Sequence, residues 1–444
     1  MEDDRSLRWL YLDLNSYFAS VQQQLHPHLR GKAIAIGPEK VDSGTIIAAS
    51  YEAKAYGVRT GLRVAEARRL CPQLIIVGDG HAVYSDYHER IVAEVWRHIP
   101  VTHICSVDEV ACRLLDNENS PEQAIALARR IKAGIARRVG ACLTSSIGIA
   151  PSRLVAKMAA DMQKPDGLTV ITRSMLPHAL YPLPLSDVPG IGRRMEARLN
   201  ARGITTMRQL LEPGRSRAGS AWGSVLGMRL WHGLHGEDIA ERPQQSRSIG
   251  HSHVLAPQVR DPETARQTAR RLLLKAATRL RRAECVTKNL TLAVRFESGR
   301  FESGRFESAG PLSTGPLSTG PLSTGRESGS GWHASTRFEP TDDSFPLLDA
   351  LTTLWQRLAA ATTPQTRIRL VAVTLNDIRP ATGTQLNLFH PHRTRSRALA
   401  VAIDQINQRH GRTTTIGHLP NPRTALIGTK IAFTRVPDRR EFQD

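Results

Sequence analysis

Short apolar runs alternate with amphipathic stretches through the first ~175 residues. Runs at 9–12, 33–36, 45–48, 74–77, 103–107 and 111–115 read as strands. Stretches with helical spacing cover 16–25, 61–70, 84–99 and 121–139. Their order suits an antiparallel sheet backed by helices, with a small lobe inserted at about 30–79. From Ser186 the pattern changes. Asp187-Val188-Pro189-Gly190-Ile191-Gly192 leads into an amphipathic helix over 193–202, then Gly203-Ile204 and another helix start. This is a helix-hairpin-helix pattern. Its glycines let backbone N–H groups approach a phosphate at a helix N-terminus, which already favours anions. Alone it reads better as a plain tight turn between helices; its basic surroundings, downstream of an acidic cluster, favour phosphate. After a linker at 243–247 comes strand 248–255, basic helix 262–282, strands 289–296 and 331–338, helix 344–358 and strand 367–375. That βαββαβ order describes a small ferredoxin-like layer.

Between the middle strands lies a five-residue tandem repeat. FESGR occurs twice from Phe296, then FESAG, then PLSTG three times to Gly325. So much Gly, Ser and Pro cannot build a core and reads as a disordered hairpin extension. Arg300 and Arg305 could touch a polyanion, but a tolerated expansion in a solvent loop is the simpler reading. In the turn-rich final section, Gln385-Leu386-Asn387-Leu388-Phe389 has one polar anchor and spaced apolar residues. It suits either a peptide inserted into a partner's pocket or a short strand on its own domain.

Three carboxylates carry the chemistry. Asp13 ends the apolar run at 9–12, and Asp108 and Glu109 follow the run at 104–107. Acidic groups at the ends of core strands are expensive to bring together unless a cation lies between them. A pair of magnesium ions is the simplest choice, since Mg²⁺ takes oxygen ligands from a few carboxylates plus substrate phosphates. Two such ions stabilise the attacking and leaving oxygens of an in-line phosphoryl transfer.

Charge narrows the partner. The net charge of +19 on 444 residues is too basic for a generic metabolic enzyme and suits nucleic acid. The length allows about three domains of ~150 residues. No uninterrupted apolar stretch approaches ~18 residues, so no membrane span is expected, and the acidic N-terminus lacks a signal-peptide pattern. The five cysteines (Cys71, Cys105, Cys112, Cys142 and Cys285) are scattered and form no C-x-x-C pair. Neither a disulfide framework nor a zinc site is expected, and the compartment reads as reducing cytosol.

The motifs together resemble the Y-family translesion DNA polymerases, from Leu10 to about Leu375. The stretch from Leu12 to Val21, the Ser50-to-Val58 segment, Ser106-Val107-Asp108-Glu109, the Ser146-to-Lys157 segment, Lys164-Pro165-Asp166-Gly167 and the Pro189–Gly192 hairpin stand in the family's order. The resemblance implies an α/β (α+β) right-hand polymerase. A ferredoxin-like palm would span 1–29 and 80–175, small fingers 30–79, and a helix-hairpin-helix thumb 176–242. A βαββαβ little finger with the repeat insertion at 297–330 would span 248–378, followed by a tail over 379–444.

It also implies roles. Asp13 and Asp108 would bridge two Mg²⁺ ions, with the Leu14 carbonyl as a further ligand, and Glu109 would face the primer 3′-hydroxyl. Tyr51, Lys54 and Lys164 would hold the triphosphate; Lys54 stands where Arg is frequent and trades a bidentate fork for a point charge. Phe18 would be the steric gate against a ribose 2′-hydroxyl, with Tyr17 under the sugar. Gly190, Ile191, Gly192 and Arg193 would touch DNA, and so would the basic stripe Arg266, Arg270, Arg271, Lys275, Arg279, Arg281 and Arg282. Gln385, Leu386, Leu388 and Phe389 would bind a bacterial sliding clamp. Gln22 and Ala48 depart from the family's usual Glu and Thr or Ser; the second change removes about one hydrogen bond to the triphosphate, ~1 kcal/mol or more. The expected partners are primer-template DNA, deoxynucleoside triphosphates and the clamp, with no membrane, for a monomer in the bacterial cytoplasm that joins the nucleoid on DNA. An inactive polymerase-shaped scaffold would have lost metal carboxylates, and a nuclease would need neither gate nor triphosphate motifs.

Overall fold

The computed structural model describes residues 7–37, 42, 44–78, 81–212, 214–239, 247–297, 331–382 and 392–410. The chain divides into two compact units at Arg242 and Pro243.

The first unit opens with β1 (Trp9–Leu14) and α1 (Tyr17–Leu25). A lobe follows: β2 (Ile34–Ile36), β3 (Ala48–Ala49), α2 (Tyr51–Lys54), α3 (Val64–Leu70) and β4 (Ile75–Val77). Then come α4 (His81–Trp96), β5 (His103–Ile104), β6 (Glu109–Arg113), α5 (Pro121–Arg138), β7 (Ser145–Ala150), α6 (Arg153–Met162) and β8 (Leu168–Val170). Four helices close the unit: α7 (Arg193–Asn200), α8 (Met207–Leu211), α9 (Arg215–Trp222) and α10 (Val225–Leu234).

The main sheet runs β5-β6-β1-β7-β8. β6 lies between β1 and β5, a split βαβ arrangement. β1 is antiparallel to both neighbours, and β8 is parallel to β7. Side chains of a strand alternate between faces. Leu10, Leu12 and Leu14 enter a core with Ile91 and Val95 of α4 and Leu127 and Ile131 of α5. Trp9 and Tyr11 face the other way, into a core with α6 and the closing helices. Burial on both faces is why β1 reads as a continuous apolar run. Asp13 is the next residue on the Tyr11 face.

The lobe has a separate core that includes Ala35, Ile46, Val64 and Ile76. Its sheet order is β3-β2-β4. The Ser50 hydroxyl caps α2 by accepting from Ala53 N at 3.3 Å and also accepts from Ile34 N at 3.1 Å, tying the helix start to β2. The apolar run at 45–48 is strand only at its end, with Thr45 in an isolated bridge to Arg63. The run at 103–107 is also shorter than expected. Cys105 N and Ser106 N both donate to Glu109 O, at 2.9 and 3.2 Å, and close a tight turn.

The second unit contains β9 (Ser248–Val254), α11 (Pro262–Arg282), β10 (Cys285–Phe296), β11 (Gly331–Thr341), α12 (Ser344–Ala360), β12 (Ile368–Asn376), a short β13 (Arg379–Pro380) and α13 (His392–His410). The expected βαββαβ order is present. The strands lie in the order β11-β10-β12-β9, all antiparallel. Leu272, Leu273 and Ala276 of α11 and Leu351, Leu354 and Leu358 of α12 pack on Leu290, Leu292, Val371 and Val373. The opposite face carries a row of small residues in register: Ser335, Thr291, Thr374 and Gly250. The repeat and Gln385–Phe389 lie outside the described residues.

Candidate active site

Two strands present the acidic cluster. Asp13 and Glu109 are direct partners across the β1–β6 ladder, so their side chains leave the sheet on one face. Asp108 occupies the β5–β6 turn, and Glu109 begins β6 rather than ending a strand. Leu14 N donates to Asp108 O at 2.9 Å, and His88 Nδ1 lies 2.8 Å from Val107 O. The turn is thus held from β1 and from α4. Ser106 Oγ donates to Asp108 Oδ1.

Two lysines neutralise the cluster. Lys164 Nζ lies 2.9 Å from Asp13 Oδ2 and 2.7 Å from Asp161 Oδ1. Lys157 of α6 pairs with Glu109, and its Nζ is 3.4 Å from Tyr11 Oη. Burial still dominates the carboxyl groups. It pushes Asp13 up to about 6 despite Lys164, and it raises Asp108 above its ordinary value. Burial opposes the charge on Lys164, but Asp13 and Asp161 more than compensate and raise its pKa.

The lobe contributes Tyr51 and Lys54. The Lys54 ammonium sits 4.3 Å from the Tyr51 ring centroid. Burial raises Tyr51 and lowers Lys54, and both feel the charges of Lys164 and Asp13. Tyr51, Lys54, Lys164 and the carboxylates therefore share one electrostatic neighbourhood, although they come from four separate segments.

Phe18 and Tyr17 begin α1 and are both buried. The Phe18 ring meets Tyr84 edge-on, with centroids 4.6 Å apart. The Tyr17 hydroxyl donates to Tyr84 O at 2.5 Å, which fixes Tyr17 in the core. Gln22, also buried, donates to Tyr84 Oη at 3.0 Å. Both glutamine and tyrosines thus brace α1 against α4.

Comparison with known proteins bears directly on this site. The impB/mucB/samB family matches residues 12–161, its C-terminal domain matches 246–388, and its helix-hairpin-helix motif matches 173–204. The chain is 34% identical over 291 residues to DNA polymerase IV of Bacillus velezensis, covering 64% of this chain and 69% of that protein. The similarity to DNA polymerase IV of Moorella thermoacetica is 44% over 208 residues, and it covers 45% of this chain but only half (50%) of that protein. A Y-family DNA polymerase chimera of Dbh and Dpo4 shares the fold, with a TM-score of 0.64 at 22% identity, over 84% of this chain and 99% of the chimera. The chain belongs to the Y family of DNA polymerases.

Within this Y-family polymerase, the donor set matches a hard divalent cation. Its three carboxylates share one sheet end, and burial raises the pKa of two of them, Asp13 and Asp108, despite the neighbouring Lys164. Among the described residues, no three acidic, histidine or cysteine side chains already converge closely enough to hold a metal. Lys157 pairs with Glu109 through Oε1 and Lys164 with Asp13 through Oδ2.

The polymerase's hairpin is also well formed. Gly190 has φ 98°, a left-handed conformation suited to glycine. Val188, Ile191 and Leu199 are buried, which leaves Gly192 and Arg193 exposed at the start of α7. Ile191 therefore anchors the turn from below rather than facing outward.

Several cations of the basic stripe on α11 have partners within the second unit. The Arg281 side chain, 8% exposed, grips Asp404 of α13 with two bonds, at 2.7 and 3.0 Å; it also donates to Asp342 O at 2.7 Å. Arg266 forms two 2.9 Å bonds with Glu263. Arg279 lies 3.4 Å from His251 Nε2. Arg281 thus ties α11 to α13 while Arg266 pairs within α11 itself, and Arg282 alone among the seven is exposed rather than half-buried. The sequence motifs assign no role to Lys157 or His88, and nothing in the local pattern ties His88 to a carbonyl nineteen residues away.

Proposed function

We propose that this Y-family polymerase copies damaged templates with low fidelity, adding deoxynucleotides to a primer 3′-end. The carrying observation is the meeting of Asp13, Asp108 and Glu109 with Lys164, Tyr51 and Lys54. The primer 3′-hydroxyl gives up its proton to solvent, its oxygen forms a bond to the α-phosphorus, the bond from that phosphorus to the oxygen bridging to the β-phosphorus breaks, and pyrophosphate leaves. When bound, two magnesium ions held by Asp13, Asp108, Glu109 and the Leu14 carbonyl would supply charge neutralisation and lower the 3′-hydroxyl pKa.

The chain's own residues then have separable tasks. Lys164 exchanges Asp13 for triphosphate oxygens. Tyr51 and Lys54 bind the same triphosphate from the lobe, and Phe18 excludes a 2′-hydroxyl. Gly190, Gly192 and Arg193 bind backbone phosphates through N–H groups and charge. The small-residue face of the second unit's sheet allows close approach to DNA, and the exposed Arg282 of α11 adds positive charge. Gln385, Leu386, Leu388 and Phe389 would tether the enzyme to a sliding clamp. These tasks suit a monomer on the nucleoid in the bacterial cytoplasm.

Primer extension with magnesium and all four deoxynucleotides, on undamaged and abasic templates, tests this reading. We expect extension on both, and at least a thousandfold loss of rate in Asp108→Ala/Glu109→Ala, roughly the scale of losing electrostatic transition-state stabilisation. A folded, DNA-binding native protein that extends neither template, even with clamp present, would instead be a scaffold.

A further inference from the structure

Lys164 sits in a turn whose shape is imposed from outside. Asp166 has φ 58°, a left-handed conformation that residues other than glycine rarely adopt. At Gly167 a Cβ would lie 1.9 Å from Gln163 O, so the backbone folds tightly onto the end of α6. Three elements hold it there. Asn15, after β1, accepts from Asp166 N at 2.8 Å through Oδ1. Ser146 of β7 accepts from Gly167 N at 3.2 Å and donates to Gln163 O at 2.9 Å. Asn15 Nδ2 donates to that same Ser146 hydroxyl at 3.1 Å, which joins the two holds.

Lys132 completes the grip from α5, a helix on the opposite face of the sheet from α6. Its Nζ is 2.5 Å from Asp166 O, 3.1 Å from Gly167 O and 3.0 Å from Asp166 Oδ1. An ammonium group has three donors, and here each has an acceptor in the same two-residue stretch. The Lys132 side chain is 18% exposed and the Asp166 side chain 58%, so the hold lies in the set of three bonds together rather than in the carboxylate pair alone. A lysine held this fully is not free to act as a surface phosphate contact. Its ties instead fix the peptide planes two and three residues beyond Lys164, and so the point from which the Lys164 side chain reaches the site.

We infer that Lys132 is a positioning residue: by fixing the Asp166–Gly167 backbone it sets how tightly Lys164 grips the incoming triphosphate. The inference rests on the reading of Lys164 as a triphosphate ligand. Lys132 itself touches neither nucleotide nor DNA.

Single-turnover incorporation separates nucleotide Kd from maximal rate. We expect Lys132→Met to raise the deoxynucleotide Kd about fivefold to tenfold, the scale of one or two weakened charge-assisted contacts. The maximal rate should stay within about twofold, and primer-template affinity should not change. Lys164→Ala should raise the nucleotide Kd at least as far. The double variant should be no worse than Lys164→Ala alone, because a residue acting only through Lys164 has nothing left to act on. Lys132→Arg, which keeps charge and donors, should recover part of the affinity. If Lys132→Met does not stay folded at assay temperature, Lys132→Gln is held to the same criteria. An unchanged nucleotide Kd in the Lys132 variant beside a raised one in Lys164→Ala would overturn the positioning role. So would additive losses in the double variant, or a parallel fall in rate, nucleotide affinity and DNA affinity. An unchanged Kd in Lys164→Ala would instead sink the triphosphate reading itself.

Discussion

Asp13 is a carboxylate where the metal-free fold disfavours a negative charge. Burial lifts its pKa to about 6, against an ordinary value near 3.9. The sign follows from linkage. The folded state binds this proton more tightly than the unfolded chain does, so the associated stability is fully present below about pH 4 and is lost as pH rises through 6. Two pKa units correspond to roughly 3 kcal/mol at most, and Asp108 shifts in the same direction. Removing the charge should therefore help the empty enzyme while destroying its activity. Asp13→Asn is expected to melt several degrees above the native protein at pH 8 in chelator, and the gap should close toward pH 4. Lys164 keeps Asp161 at 2.7 Å in that variant, so no buried cation is stranded. Equal or lower melting of Asp13→Asn at pH 8 would mean that the lysines already neutralise the site.

At the scale of elements, the site depends on how closely α6 lies on the sheet. Gly148 in β7 faces that helix beside Tyr11. A Cβ there would come within 2.0 Å of Ala156 O and 2.3 Å of Ala160 N. Backbone atoms cannot rotate away, so α6 must lift, and Lys157 with it. Gly148→Ala should destabilise the protein by about 3 kcal/mol or more, the upper end for overpacking, with a lower midpoint in urea unfolding. A change under ~1 kcal/mol would mean that the helix slides without loss. The same elements explain what could be read from sequence. β1 was visible because burial on both faces leaves an unbroken apolar run ending at Asp13. The βαββαβ unit was visible because its strands and helices are long and regular. The stretch from Ile104 to Val107 is equally apolar, but Cys105 N and Ser106 N turn back to Glu109 O, and periodicity carries no trace of such a reversal. β8 has three residues, too few to show a period. The α11 arginines advertise a basic face, and only Asp404, 123 residues from Arg281, reveals that one of them is structural. The hold of Asn15 on Asp166 spans 151 residues, which no local pattern records.

For the whole molecule the relevant quantity is surplus charge: 60 Lys and Arg against 41 Asp and Glu. Unpaired cations cannot be buried at tolerable cost, and the deeply set Arg281 side chain is paired with Asp404. The surplus is therefore available at the surface, where it favours DNA through release of condensed counterions. Such binding weakens steeply with salt, at about −0.9 in log K per log salt for each phosphate contacted. We expect a slope of about −5 or steeper for primer-template affinity, read by fluorescence anisotropy between 50 and 200 mM salt. Across that range affinity should fall on the order of a thousandfold for six or more contacts. Near the upper end the enzyme should hold a primer end only briefly, so a second attachment becomes valuable. A tether through Gln385–Phe389 would replace bimolecular capture with a high effective concentration. Adding clamp at 200 mM salt should then restore much of the extension lost, and deleting those five residues should abolish the rescue while leaving extension at 50 mM unchanged. A slope shallower than about −2 would mean that the surplus charge is not spent on DNA, and the case for needing a tether would fall with it.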